Sequence, residues 1–232
     1  MADLSRYLPL SRRSDVDESG VTADRRAESA EVLAALSAVL RAGGDELWAT
    51  GTARAGWRVA DVVAELVHGF DRSRTRRALD AAERIVRGGE ARRLAELPGL
   101  AGPAEGAVAI ETRAGLVRER ERPTGVAELD DAVVAALLVG GAASVDVPMS
   151  PIASGAVALR RAAAAPTEIR AVISGHTLRA TDAGWEFGHG SPLVDTAAGL
   201  LRFLTGIGTV APHPPGPRDT PPPAPAPPGA AG

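Results

Sequence analysis

The chain has 232 residues, 45% of them hydrophobic and 24% charged, with a formal net charge of -3. That length and apolar content can bury one large core or two small ones. The weak acidic balance gives no global basic field for nucleic acid or an anionic membrane, and the absence of cysteine excludes disulfides, thiolate metal ligands and cysteine nucleophiles.

The opening MADLSRYLPL lacks a basic start followed by an export-length apolar run. The longest apolar stretch, 132–145, is too short to span a bilayer and carries Gly140-Gly141. No membrane association and a cytoplasmic location are expected. All 26 basic residues are arginine, a bias of codon usage from which no mechanism follows.

Residues 1–21 are polar and mixed in charge and read as a flexible N-terminal arm. From Thr22 the pattern turns helical. Leu33, Leu36, Val39 and Leu40 recur at spacings of three and four, one apolar stripe, and Gly43-Gly44 ends it. A second helix begins near Trp57, with Val59, Val62, Val63, Leu66, Val67 and Phe70 on one face. It extends or restarts through Ala78-Leu79 to Ile85-Val86 and stops at Gly88-Gly89. A short helix over 91–97 ends at Pro98. Another covers 103–120, with Pro103 in its first turn, and the next spans 128–139, closed by Gly140-Gly141. Four principal helices with short connections predict an antiparallel bundle over 22–142.

Beyond Val145 the style changes. A helix over 153–165 is followed by three short stretches rich in β-branched or aromatic residues, 168–173, 177–181 and 185–187. Ser174-Gly175 and Asp182-Ala183-Gly184 separate them as turns. These predict a small antiparallel sheet, with a helix after it at 195–204 whose apolar side is Leu200, Leu201, Phe203 and Leu204. Helices followed by strands read as α+β, with a small C-terminal α/β domain over 143–210. From Ala211 about half the residues are proline, so 211–232 is expected to be a disordered tail with local polyproline II character. No specific feature supports a protein partner for it.

Three segments carry a family resemblance. Gly56-Trp57-Arg58-Val59-Ala60-Asp61-Val62-Val63-Ala64-Glu65-Leu66 resembles the start of the second helix in the mycothiol-dependent maleylpyruvate isomerase family, where the pattern reads G-W-T-V-R-D-V-V-A-H-L. Arg122-Pro123-Thr124-Gly125 is similar to that family's R-P-L-G. Leu178-Arg179-Ala180-Thr181-Asp182-Ala183-Gly184-Trp185-Glu186-Phe187-Gly188-His189-Gly190 is similar to its C-terminal ATDADWS hairpin. Order and spacing fit over roughly 25–208. The resemblance implies a DinB-like four-helix bundle holding a divalent metal, zinc or another, which activates the thiolate of mycothiol for cis–trans isomerisation of an unsaturated acid.

The same resemblance puts the first metal ligand, a histidine in the family, at Glu65. Later ligands are expected on the helix before Arg122-Pro123, where Glu111 and Glu119 lie near acidic positions and Leu116 stands at the approximate histidine place. A zinc-type site takes about three His, Asp or Glu ligands and an open position. His68, three residues after Glu65, shares its helix face and could complete a Glu-x-x-His pair; a partly exposed histidine beside an apolar stripe is the plainer reading. Arg113 and Arg118 would add positive charge near any cation. The family's C-terminal Gly-Arg is replaced by Gly206-Ile207, leaving Arg202 as the candidate for binding the thiol cofactor or an anionic substrate. His176 and His189 fall in or beside turns, and His213 falls in the tail. Two functions are therefore expected, a metal-free relative binding a small molecule or a partner in the old cleft, or a metal- and thiol-dependent isomerase or transferase with an altered ligand set.

Other chemistries lack their motifs. The chain has no Walker loop, no G-x-G-x-x-G after a strand and no G-x-S-x-G elbow. The arginine run from Asp71 to Arg77 fits a solvated helix face, and aromatic residues at 3% are too few for base stacking.

Overall fold

The computed structural model describes residues 24–69 and 94–216. The N-terminal arm, Phe70, the continuation through 78–86 with its Gly88-Gly89 stop, and the tail beyond Gly216 lie outside the described residues.

Four helices form the first layer: α1 (Arg26–Ala49), α2 (Val59–Gly69), α3 (Pro103–Glu119) and α4 (Val126–Ala143). Of the stripe read from spacing, α1 buries Leu33, Leu36 and Leu40, and Val39 packs against the core partly buried. Gly43-Gly44 breaks it without ending it: Gly44 turns to φ 56°, and the helix resumes to Ala49. α2 buries Val59, Val62, Val63 and Leu66. Pro103 opens α3 in its first turn, where no N–H is missed.

Gly140-Gly141 does not close α4, which runs on to a left-handed cap at Ser144, φ 55°. A Cβ at Gly140 would stand 2.7 Å from the carbonyl oxygen of Val145 and 3.0 Å from the Val147 side chain. The glycine therefore serves the close return of the chain rather than the helix end.

The contacts fix the direction of each helix. Arg26 reaches the carbonyl oxygen of Arg120, while Ser37 Oγ donates to the carbonyl oxygen of Ala107; α1 and α3 run antiparallel. Gly106, in the first turn of α3, faces Trp48 near the end of α1, and Val59 N at the start of α2 donates to the Thr50 carbonyl just past that end at 3.0 Å, so α2 and α3 both start beside the end of α1 and run the same way. Arg25 N donates to the Thr124 carbonyl at 2.9 Å, which places the starts of α1 and α4 together. Parallel neighbours cannot be joined by a tight turn, and the connection from α2 to α3 accordingly spans 70–102.

The C-terminal part comprises α5 (Pro151–Ala163), α6 (Thr167–Ile173), β1 (His176–Ala180), β2 (Glu186–Gly188), β3 (Ser191–Asp195) and α7 (Ala197–Thr205). Ser150 caps α5 by accepting from Ala153 N at 3.2 Å, and Thr196 caps α7 by accepting from Gly199 N at 3.0 Å.

The segment 168–173, expected as a strand, is helix α6. Ile169 and Ile173, four apart, both pack against the core, so the period is helical rather than alternating. The sheet is also not wholly antiparallel: its order is β2-β1-β3, with β1 antiparallel to β2 and parallel to β3. β3 begins Ser191-Pro192, and a proline is tolerated there because β3 flanks β1 on the outside. The chain passes from one side of β1 to the other within Gly188-His189-Gly190. Both glycines have positive φ, 102° and 105°, and a Cβ on either would run into the backbone of Gly175 or His176.

One continuous core joins the two parts, with Leu33, Ile110, Leu129 and Val133 of the bundle in the same cluster as Val157, Leu178, Leu200 and Leu201. The start of the proline-rich tail is tied to the sheet. Val194 N donates to the His213 carbonyl at 2.7 Å, His213 N returns to the Val194 carbonyl at 3.2 Å, and Pro212 is buried. The helices are thus accompanied by a mixed three-stranded sheet, an α+β protein. Among the described residues no helix is long and apolar enough to cross a membrane.

Candidate functional site

The site begins in the hairpin between α1 and α2. Gly51 and Arg58 form an antiparallel bridge. Inside it Thr52 N donates to the Trp57 carbonyl at 2.7 Å, and Thr52 Oγ1 accepts from Arg54 N at 3.2 Å. Gly56, with φ 78°, supplies the left-handed residue that the turn needs. Asp61 accepts from Arg58 N at 2.9 Å, a carboxylate returning to the first turn of α2.

This loop sets Arg54 over the indole of Trp57, 3.7 Å from guanidinium carbon to ring centre, within cation–π range. The same guanidinium donates from Nη1 to Glu65 Oε2 at 2.6 Å. Glu65, the position of the expected first ligand, therefore ends in an ion pair whose side chains are only about one-fifth exposed, 20% for Glu65 and 22% for Arg54. Partial burial strengthens such a pair relative to one in open water.

The other expected ligands lie elsewhere. His68 is half-buried on α2, and its Nε2 is buried with no hydrogen-bond partner among the described residues. Glu111 is exposed on α3 and pairs with Arg41 of α1. Glu119 is exposed at the last turn of α3. Leu116, at the approximate histidine place, is 54% exposed on the same helix. Among the described residues no three His, Asp or Glu side chains gather closely enough to hold a metal ion. The four side chains Glu65, His68, Glu111 and Glu119, as placed, do not fit a zinc-type site.

Arg202 lies on α7, donating from Nη2 to Asp146 at 2.9 Å, and its backbone carbonyl accepts from Gly208 N. His176 is bonded through Nδ1 to the Ser174 carbonyl at 3.0 Å. His189 rides on the glycine crossing beside β1, so the spacing that isolates it between two glycines answers to backbone clearance. Arg118 lines a shallow open groove with Asp24, Arg26, Ala27 and Glu31.

Arg54 is the residue that the sequence reading missed. It stands eleven positions before Glu65 and outside any helix, so helical periodicity gives no signal for it. Gly51 and Gly56 flanking Arg54, with Trp57 next in the chain, signal a hairpin that returns on itself, and that is the hint the sequence carries.

Comparison with protein-family models, with curated proteins and with solved structures finds no match to this chain.

Proposed function

We propose that this chain is a divergent relative of the mycothiol-dependent maleylpyruvate isomerases, with a DinB-like bundle, that binds a small molecule or a protein partner without a catalytic metal. The ordered motifs around Trp57, Arg122-Pro123 and Trp185 support the family reading. One observation carries the metal-free part, the Arg54–Glu65 ion pair. A guanidinium at 2.6 Å from Glu65 Oε2 engages that carboxylate oxygen, and its positive charge repels a cation approaching the other.

A second reading has its own observation. Glu65 and His68 share α2 at a spacing of three, and His68 Nε2 keeps its hydrogen-bonding capacity. If the Arg54 side chain swings away, these two begin a ligand set for an active divalent-metal- and thiol-dependent isomerase or transferase.

Metal analysis of the untagged protein separates the readings. The metal-free reading expects substoichiometric zinc and no rise in melting temperature on adding zinc or nickel, because a ligand bound only by the folded state must stabilise it. Stoichiometric zinc that disappears in Glu65→Ala overturns it in favour of the second reading. Arg54→Ala sharpens the experiment, since the second reading expects zinc affinity to rise in that variant.

A further inference from the structure

At the end of the bundle where α1 and α4 begin, three buried oxygens have no hydrogen-bond partner among the described residues: Glu28 Oε2, Ser29 Oγ and Thr124 Oγ1. Thr124 is 0% exposed and Ser29 2%. The backbone draws them together. Arg25 N donates to the Thr124 carbonyl at 2.9 Å, and Ser29 N donates to the Arg25 carbonyl at 3.0 Å. Arg25 Nη1 lies 3.3 Å from Glu28 Oε1, which occupies one carboxylate oxygen and leaves the other. Arg25, Glu28 and Ser29 are spaced three and four apart, so they share one face at the start of α1, and it is the Arg25 amide of that face that meets the Thr124 carbonyl.

The chemistry of the three oxygens names the ligand class. Glu28 Oε2 can only accept, while the Ser29 and Thr124 hydroxyls can each donate and accept. A bare cation there would stand beside the Arg25 guanidinium. A neutral molecule that both donates and accepts satisfies all three, and a single water, making about three hydrogen bonds, has that capacity. We propose that one internal water is bound between Glu28, Ser29 and Thr124, linking the start of α1 to the loop that leads into α4. It donates to Glu28 Oε2 and exchanges hydrogen bonds with the two hydroxyls. The water makes Thr124 a buried contact of α1 rather than a tolerated polar residue in an apolar place.

The test uses the full chain. Thr124→Val keeps the shape and removes the hydroxyl. If the water is bound, melting temperature falls by roughly 2–4 °C; if Thr124 is an unsatisfied orphan, it rises, because deleting a lone buried polar group relieves its desolvation, and the proposal is overturned. Thr124→Val combined with Ser29→Ala should lose less than the sum of the single changes, since both act on one water; strict additivity overturns the shared site. A high-resolution crystal structure supplies the readout that does not depend on a variant folding. A density peak within hydrogen-bond distance of all three oxygens is expected, and three separate or absent peaks reject the assignment.

Discussion

Asp130 of α4 accepts a hydrogen bond from Arg161 Nε at 2.6 Å, and this pair fastens α5 to the bundle. Arg160 Nε lies 3.4 Å from the other carboxylate oxygen. The exposures are unequal: the Asp130 side chain is 8% exposed, Arg161 32% and Arg160 44%. The cost of breaking the cluster therefore depends on which side is removed. Without Asp130 both guanidiniums can turn into water, and Asp130→Ala is expected to lose about 1–2 kcal/mol. Replacing both arginines with alanine strands a buried carboxylate and is expected to lose about 3 kcal/mol or more. Urea denaturation of the two variants checks the order, and an equal or reversed order would refute the burial argument.

A second prediction concerns acid. Partial burial of Asp24 raises its pKa, but this is outweighed by the Thr124 backbone N–H, the Arg26 side chain and backbone N–H, and the Arg26 charge. The net result is a carboxyl held below its ordinary range. A depressed carboxylate stabilises the fold above its unfolded pKa and loses that contribution as pH falls through the folded value. Wild-type stability should therefore drop on the acid side, below the ordinary carboxylate pKa. Asp24→Asn should be less stable at neutral pH and show a shallower acid decline, readable as melting temperature against pH.

Two glycines at helical positions should respond in opposite directions to the same change. A Cβ at Gly140 meets the Val145 carbonyl at 2.7 Å, whereas a Cβ at Gly115 of α3 finds nothing within 4 Å. Gly115→Ala is expected to stabilise by about 0.5–1 kcal/mol through helix propensity. Gly140→Ala is expected to destabilise by about 1–3 kcal/mol, because backbone must move to admit the methyl. Chemical denaturation of the pair measures both signs in one series.

These residues also show what the sequence made legible. Gly140 and Gly115 look alike in the string, and only the return of the chain at Val145 tells them apart. The apolar stripes at Leu33-Leu36-Leu40 and Val59-Val62-Val63-Leu66 and the proline at 103 are local signals, and the helices form where they stand; Ser150, Pro151 and Thr196 are start signals that the reading did not use, and the helices expected from 153 and 195 begin at Pro151 and Ala197. Segment 168–173 misled because Val172 and Ile173 favour strands while Ile169 and Ile173 set a helical period. β3 was missed because Pro192 argues against a strand unless its place at the sheet border is known. The candidate site was legible only at Glu65 and His68; the partner of Glu65 depended on a hairpin, which no spacing rule reports.

The last prediction tests the strap at the start of the proline-rich segment. Composition alone made 211–232 a tail, yet His213 exchanges two backbone hydrogen bonds with Val194 and Pro212 is buried beside them. Each such bond contributes roughly 0.5–1.5 kcal/mol net, so a chain ending at Val210 should be less stable by about 1–3 kcal/mol than one ending at Gly216. The loss should have a local signature as well. Without the strap, the outward N–H and C=O of Val194 in β3 become an unpaired sheet border, and the Val194 amide should exchange with solvent faster, while amides deep in α4, such as that of Val133, slow or quicken only with global stability. Hydrogen exchange on the two truncated chains distinguishes these effects. Unchanged Val194 protection in the shorter chain would mean that the strap contributes nothing to the sheet, and that the tail begins at Ala211 as composition alone had it.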